Sequence, residues 1–248
     1  MLPVLFKLGP LTVNSYGVMI ALGFLSGILL AIYLAKKEKI SPEMMMDLAL
    51  FVMIFSILGA RLFYVIEFWP EYWYRPLAAL FVWEGGLVFY GGLLGAVLTV
   101  IIFSRINKLS VLKLLDLITP ATALGYAIGR MGCFLRGCCY GVECRLPWAV
   151  KFPEVVGLRH PTQIYALLTW LGLFGVLWFL LTKRKFDGQV FSLGLMLYAV
   201  YRFLIEFVRT NPQYFHLTAA QWGSLLLLIG AGILYFLLSK AGSSGQRQ

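Results

Sequence analysis

Charge is scarce in this chain, and acid is scarcer than base. Only 13% of the 248 residues are charged, eleven Asp and Glu against 21 Lys and Arg. A soluble domain carries about 25% charged residues, so the composition excludes a disordered chain, a coiled coil and a conventional water-soluble enzyme. Histidine occurs twice, at His160 and His216, too far apart in sequence to suggest a histidine-built metal site. Cysteine is confined to one short stretch, Cys133, Cys138, Cys139 and Cys144. No internal repeat of roughly 20–50 residues is present. The opening MLPVLFKLGPLTVNS has neither a charged n-region nor a small-residue cleavage site, so no secretion signal is expected ahead of the first apolar run.

What is abundant is apolar surface. Sixty per cent of the residues are apolar and the mean hydropathy is +0.84. A helix crosses a bilayer with about 20 predominantly apolar residues. Runs of that length, set between turn signals, predict seven spans near Ser15–Ala35, Asp47–Glu67, Leu87–Ser104, Leu114–Leu135, Gln163–Leu181, Val190–Val208 and Ala219–Leu238. The expected fold is therefore all-α, a polytopic membrane bundle. It forms one domain over 1–240, with an external loop near 136–162. The residues 241–248 (AGSSGQRQ) are expected to be a flexible tail.

Basic residues set the expected sidedness. With the N-terminus outside, inner segments hold Lys36, Lys37, Lys39, Arg105, Lys108, Lys113, Lys183, Arg184, Lys185, Lys240 and Arg247. Outer segments hold seven, although they are longer. The positive-inside rule thus favours N-out and C-in, and it explains the basic excess without nucleic acid as a partner. Trp69, Tyr72, Trp73, Tyr74 and Trp148 then form an interfacial aromatic belt.

Charged groups inside spans are the informative ones, because an Arg at a span centre costs about 2.5–3.5 kcal/mol and so turns inward. The sixth span carries Tyr198, Arg202, Glu206 and Arg209. On a helix these fall within a stripe of roughly 80°. Arg202 and Glu206 are spaced to pair as i,i+4 neighbours. Two readings stand: a structural ion pair, or a pair plus an unmatched Arg209 that binds an anion.

The fourth span ends in Gly125-Tyr-Ala-Ile-Gly-Arg-Met-Gly-Cys-Phe-Leu-Arg-Gly-Cys-Cys-Tyr-Gly141. Gly125 and Gly129 have the spacing that lets two helices approach closely. Gly132, Gly137 and Gly141 flank Arg130, and glycines beside an arginine leave backbone N–H groups accessible next to a planar fork suited to phosphate. The expectation is a Gly-rich turn that cradles a phospholipid headgroup. Tyr16-Gly17, Glu84-Gly85-Gly86, Tyr90-Gly91-Gly92, the run from Arg159 and His160 to Gln163, and Arg61 with Glu67 lie at the same expected end, whereas the other end carries Lys/Arg clusters with Asp47, Asp116 and Asp187. This asymmetry argues for a site open to the outer leaflet. The cysteines, in the order Cys-x4-Cys-Cys-x4-Cys, match no zinc-ribbon or CxxC spacing. Packing, an external disulfide and a catalytic or metal role all remain open for them.

These residues resemble the prolipoprotein diacylglyceryl transferases. The signature is GRMGCFLRGCCYG (129–141), flanked in order by SYGVMIALGF (15–24), GARLFYV (59–65), WEGGLVFYGGLLG (83–95), RHPTQIY (159–165) and YAVYRFLIEFVR (198–209). The resemblance implies a seven-span inner-membrane enzyme without metal or organic cofactor. Its partners are phosphatidylglycerol, membrane lipids and the signal peptide of a prolipoprotein. It transfers the diacylglyceryl group to the thiol of the lipobox cysteine, forms a thioether and releases glycerol phosphate. It implies a lipid-binding Arg130, a second essential Arg202 with Glu206 and Tyr198 as helix neighbours, and further functional positions at Tyr16 and Gly141. Gly132, Arg209 and His160 join the substrate-binding set. Some members carry a histidine where this chain has Tyr90, which makes Tyr90 the candidate for assisting thiolate formation. Some also carry Asn where this chain has Cys133. The rival from another class is a secondary transporter of an anionic or amphipathic substrate, since charged residues within spans are common there. An intramembrane protease would need a serine–histidine dyad within the spans, and none is present.

Overall fold

The computed structural model describes residues 1–9, 11–209 and 211–245. Its helices are α1 (Ser15–Lys37), α2 (Pro42–Glu67), α3 (Trp69–Tyr72), α4 (Phe89–Ile106), α5 (Val111–Arg136), α6 (Thr162–Thr182), α7 (Gln189–Ile205) and α8 (Ala219–Gly245). All but α3 are long and apolar enough to cross a membrane, which gives the seven spans expected. Three 3₁₀ turns (Pro76–Leu80, Val82–Glu84 and Glu206–Val208) and three two-stranded antiparallel hairpins complete the described elements: β1 (Val4–Leu8) with β2 (Leu11–Asn14), β3 (Val150–Lys151) with β4 (Leu158–Arg159), and β5 (Gln213–Tyr214) with β6 (Leu217–Thr218). The helix exteriors are apolar: Leu29, Ile66 and Leu226 are each more than half exposed. The buried positions include small and polar residues such as Ala35, Ser104, Ala123 and Ser192. That inversion suits a bilayer, where helices associate through close packing and hydrogen bonds.

Several boundaries shift from the sequence expectation, and three of the shifts are informative. Helix α2 starts five residues before Asp47, because Ser41 accepts the Met44 N–H at 3.2 Å and Pro42 opens the first turn. Helix α7 stops at Ile205 and tightens into a 3₁₀ turn over Glu206–Val208. Helix α8 continues past Leu238 to Gly245, so five residues of the expected tail are helical. Its last three, 246–248, lie outside the described residues.

Contacts divide the chain into two compact units, Met1–Ala31 with Leu115–Gln248, and Ile32–Leu114. In the first, Gly23 of α1 meets Gly125 of α5 so closely that an added methyl would sit 2.6 Å from the Gly125 carbonyl oxygen. This is the close helix approach that the Gly125/Gly129 spacing predicts. Asp116 is fully buried and accepts the N–H groups of Gly188 and Phe191, each at 2.8 Å, so α5 caps the start of α7. In the second unit α2 packs on α4 through Gly59, where a methyl would fall 2.5 Å from the Gly91 oxygen. Arg61, 5% exposed, donates to the carbonyls of Ala78 (2.7 Å), Ala79 (2.9 Å) and Gly85 (2.6 Å). Its guanidinium also lies 5.6 Å from the Tyr64 ring and 5.4 Å from the Tyr72 ring. Arg61 therefore pins the connection that follows α3, with every guanidinium nitrogen donating to a backbone carbonyl. Tyr90, second residue of α4, is 74% exposed, with its ring edge-on to Phe89 at 5.8 Å.

Candidate active site

In the first unit, Arg130 lies in the second half of α5, and Arg202 and Glu206 lie at the C-terminal end of α7. Arg130 lies one helical turn after Tyr126. Its guanidinium bonds the Tyr126 hydroxyl and sits 4.6 Å from the centre of that ring. Tyr126 in turn packs on Trp170 of α6 at 4.6 Å, and Trp170 touches Tyr198 (6.0 Å) and Tyr201 (5.8 Å) of α7. Four aromatic rings thus span three helices and fix Arg130 in relation to α7. Through Trp170, Arg130 is tied to the helix that carries Arg202.

At the end of α7, Arg202 pairs with Glu206 as its spacing predicts. Glu206 is buried, and its second oxygen accepts from the side chain of Asn211. Arg209 does not lie on the helical stripe drawn from the sequence. The helix has already ended, and Arg209 is extended, at φ −111° and ψ 152°. Among the described residues it has no carboxylate partner.

The Gly-rich segment behaves differently from the expected turn. Gly125, Gly129 and Gly132 remain inside α5, and the chain turns only at Gly137, whose φ of +83° is readily adopted by glycine. Gly132 is a close-approach position: a methyl there would lie 2.9 Å from Cβ of Met19 and 3.3 Å from the Tyr16 carbonyl. Gly141 is another, wedged against Val208, His160 and Thr162. Its N–H donates to the His160 carbonyl at 2.9 Å, while Val142 N–H donates to Val208 at 2.9 Å. The amide of Gly141 is therefore engaged within the protein rather than offered to a headgroup. These bonds strap the loop 137–161 to the starts of α6 and the end of α7. Fully buried Phe152, packed on Tyr140 at 5.0 Å, gives the loop a core of its own, stabilising it by about 1.5–3 kcal/mol. The His160 ring faces the Tyr165 hydroxyl at 3.1 Å, which also accepts from Trp148 at 2.7 Å. Tyr16 opens α1, its ring 5.7 Å from the Arg136 guanidinium.

The same turn collects sulfur. Gly137 and Cys138 both donate their N–H groups to the Cys133 carbonyl, at 3.0 and 3.2 Å. The chain is thereby folded back so that the Sγ atoms of Cys133, Cys138 and Cys139 all lie within 4.8 Å of one another. All four cysteines are free thiols. The Cys139 pKa is lowered, chiefly by hydrogen bonding from Cys133 and then from Cys138, with the charges of Arg130 and Arg209 adding to the effect and burial opposing it.

Comparison with known proteins shows the family. Residues 3–237 match the family described as prolipoprotein diacylglyceryl transferase. The chain belongs to the prolipoprotein diacylglyceryl transferase family. A relative from Bordetella avium, named phosphatidylglycerol–prolipoprotein diacylglyceryl transferase, is 38% identical over 98% of this chain and 97% of its own length. Relatives of the same name from Clostridium tetani (37%, covering 95% and 97%) and Finegoldia magna (36%, covering 93% of each) are similar to it. This member of the transferase family is a multi-pass membrane protein with seven spanning helices.

Within the first unit of this transferase, Tyr16 lies by Arg136 at the end of α5, Arg130 and Gly132 lie in the second half of α5, Gly141 and His160 meet before α6, and Tyr198, Arg202, Glu206 and Arg209 follow one another from the middle of α7 to just past its end. Sequence reasoning missed Tyr126, Trp170, Tyr201 and Asn211. The first three are aromatics in apolar runs, which read as ordinary lipid-facing residues until the arginines are placed beside them. Asn211 sits beyond the predicted span, and nothing in its spacing announces a partner for Glu206.

Proposed function

We propose that this chain transfers the diacylglyceryl group of phosphatidylglycerol to the thiol of a prolipoprotein lipobox cysteine, forming a thioether and releasing glycerol phosphate. The names of its relatives support the reaction, and the aromatic chain that ties Arg130 through Tyr126 and Trp170 to the helix of Arg202 and Glu206 supports the site. In this reading the peptide sulfur forms a bond to the glycerol carbon as the carbon–oxygen bond breaks. The electron pair and the negative charge pass to the phosphate oxygen. Cations held in a water-poor site stabilise such developing charge strongly. Arg130 and Arg202 hold the phosphate, and Glu206 orients Arg202. Tyr16, Tyr198 and Arg209 complete the headgroup surroundings. Gly132 and Gly141 shape the site by letting α1 and His160 approach.

The site opens to the outer leaflet of the inner (cytoplasmic) membrane, with the N-terminus outside and the C-terminus inside, as the distribution of Lys and Arg favours. The experiment is direct. Purified chain, phosphatidylglycerol vesicles and a lipobox peptide should give a diacylglyceryl mass increment on the peptide cysteine and free glycerol phosphate. An unmodified peptide under conditions where the chain is folded overturns the reaction. Reporter fusions at each terminus, read for cytoplasmic or external activity, test the orientation.

A further inference from the structure

We propose that Cys133 and Cys139 form a thiol–disulfide exchange site, which small disulfides oxidise and whose closure fastens the first turn of the loop 137–161 to the end of α5. The site is independent of the transferase reading, because its state is read on the sulfurs themselves.

The way α5 ends builds the sulfur group. Gly137, at φ +83°, donates its N–H to Phe134 at 3.0 Å, and Cys138 donates to Cys133 at 3.2 Å. That pair of bonds is a Schellman ending, whose side chains at the outer two positions come into contact, and here both are cysteine. Cys139 follows with a left-handed φ of +67°, uncommon for a residue with a side chain. Its Sγ lies 3.4 Å from that of Cys138, and all three Sγ atoms fall within 4.8 Å of one another. Sulfurs so placed have at most about 3 Å to travel to a bond of about 2.05 Å. The backbone is held for them from α6, where Gln163 donates to the Cys138 carbonyl and Thr162 donates to the Cys139 carbonyl at 2.6 Å. Two arguments select the pair. Adjacent residues have Cα atoms about 3.8 Å apart, short of the usual disulfide range of about 4.4–6.8 Å, which disfavours Cys138–Cys139. Cys139 is exposed and Cys133 buried, so the first can meet an oxidant and the second can resolve the product. Hydrogen bonding from Cys133 lowers the Cys139 pKa to about 5, so Cys139 is a thiolate, the attacking form, at neutral pH. Cys144 stands apart from the group, its N–H bonded to Leu158 in the loop hairpin.

The exchange takes two steps with a small disulfide, RSSR. The Cys139 thiolate attacks one sulfur, forms a mixed disulfide and expels RS⁻. Cys133 then releases its proton to solvent and attacks the Cys139 sulfur, and the second RS⁻ leaves. The two cysteines give up two electrons, RSSR receives them, and the two RS⁻ take up the protons that the cysteines released. The new bond bridges the turn at Gly137. It joins α5, one turn past Arg130, to a residue two positions before Gly141, where the loop is otherwise held by hydrogen bonds alone. Disulfides persist on the outer side of a cytoplasmic membrane and are rare inside it, so the proposed orientation supplies such oxidants.

The test uses full-length chain purified in detergent, reduced, and equilibrated with mixtures of oxidised and reduced glutathione. Samples are quenched in acid, alkylated and read by intact mass and peptide mapping. The expected result is the loss of two alkylatable thiols, no retained glutathione, and a Cys133–Cys139 crosslink. Cys133→Ser should stop at one glutathione on Cys139, and Cys139→Ser should react at least tenfold more slowly. Cys138→Ser and Cys144→Ser should still form the bond, all variants being checked for an unchanged elution volume. Hydrogen exchange over 137–142 should slow in the oxidised chain, with α2 and α4 unchanged. Four free thiols in folded wild-type chain at the most oxidising mixture overturn the site. A glutathione adduct that persists in the wild-type chain overturns the resolving role of Cys133. A crosslink through Cys138 or Cys144 overturns the pairing. Bond formation without slower exchange over 137–142 overturns the fastening of the loop.

Discussion

The Arg202 guanidinium and the Glu206 carboxylate pair across the last turn of α7, and the carboxylate's other oxygen is held by Asn211. Glu206 is thus locked from two sides and sets the direction of Arg202. Replacing Asn211 with Ala removes one of those holds and leaves a buried carboxylate oxygen without its donor. Transferase kcat should fall about tenfold, equivalent to about 1.4 kcal/mol, with the peptide KM unchanged. Glu206→Gln should cost more, since Arg202 then loses its counter-charge. An unchanged kcat in both variants argues that the pair only steadies the helix.

Arg130 and Arg202 should each resist conservative replacement. Lysine keeps the charge but loses the planar fork, and at position 130 it also loses the stacking on Tyr126 that fixes the guanidinium. Arg130→Lys and Arg202→Lys should lower turnover by about 10²–10³, the usual effect of removing one preorganised donor. Lipid-transfer assays on chains with unchanged detergent elution profiles decide the point. Near-wild-type rates in either variant contradict the phosphate assignment.

The spans were legible because transfer energy over about 20 residues outweighs local detail. The site was legible in part, for the reason that spacing along a helix predicts neighbours only while the helix lasts. Arg202 and Glu206 fall within that range, and they pair. Arg209 lies beyond the helix end, so its computed place on the stripe failed. The sulfur cluster was hidden for the same reason. Cys133 and Cys138 are distant by helical spacing, and only the turn at Gly137 folds one back on the other. Arg61 shows the other limit: its place in a span was legible, but the backbone carbonyls that satisfy it were not.

That satisfaction makes Arg61 a stability determinant of the second unit. Arg61→Ala should leave the carbonyls of Ala78, Ala79 and Gly85 without this donor and free the connection between α3 and α4. Limited proteolysis between Trp73 and Gly86 should accelerate, and the thermal midpoint in detergent should fall. Lysine should rescue little, having no fork to reach Ala78, Ala79 and Gly85 together.

Asp116 makes an equivalent case in the first unit. Its two oxygens cap the start of α7 through Gly188 and Phe191, with Arg184 at 3.8 Å. Losing a helix cap costs about 0.5–2 kcal/mol, and stranding a buried partner raises that figure. Asp116→Ala should therefore lower the thermal midpoint clearly, while the phosphatidylglycerol KM of the surviving folded fraction stays near that of the parent chain. A changed KM with unchanged melting would reverse the assignment and give Asp116 a part in lipid binding.

Gly141 separates shape from hydrogen bonding. A methyl at this position points into the Val208 carbonyl and lies 2.9 Å from carbon atoms of His160 and Thr162. Backbone cannot yield there without breaking the bonds from Gly141 to His160 and from Val142 to Val208. Overpacking of this kind costs about 1–3 kcal/mol. The strain falls on the strap that joins the loop 137–161 to the end of α7, close to Arg209 and Glu206. Gly141→Ala should thus cut transferase activity severely while leaving the seven helices inserted. Hydrogen exchange should show faster opening at Val142 and His160, with α2 and α4 unaffected. If activity falls and exchange across the strap does not change, the glycine is needed by the substrate directly, and the headgroup has to approach within a methyl's width of its backbone.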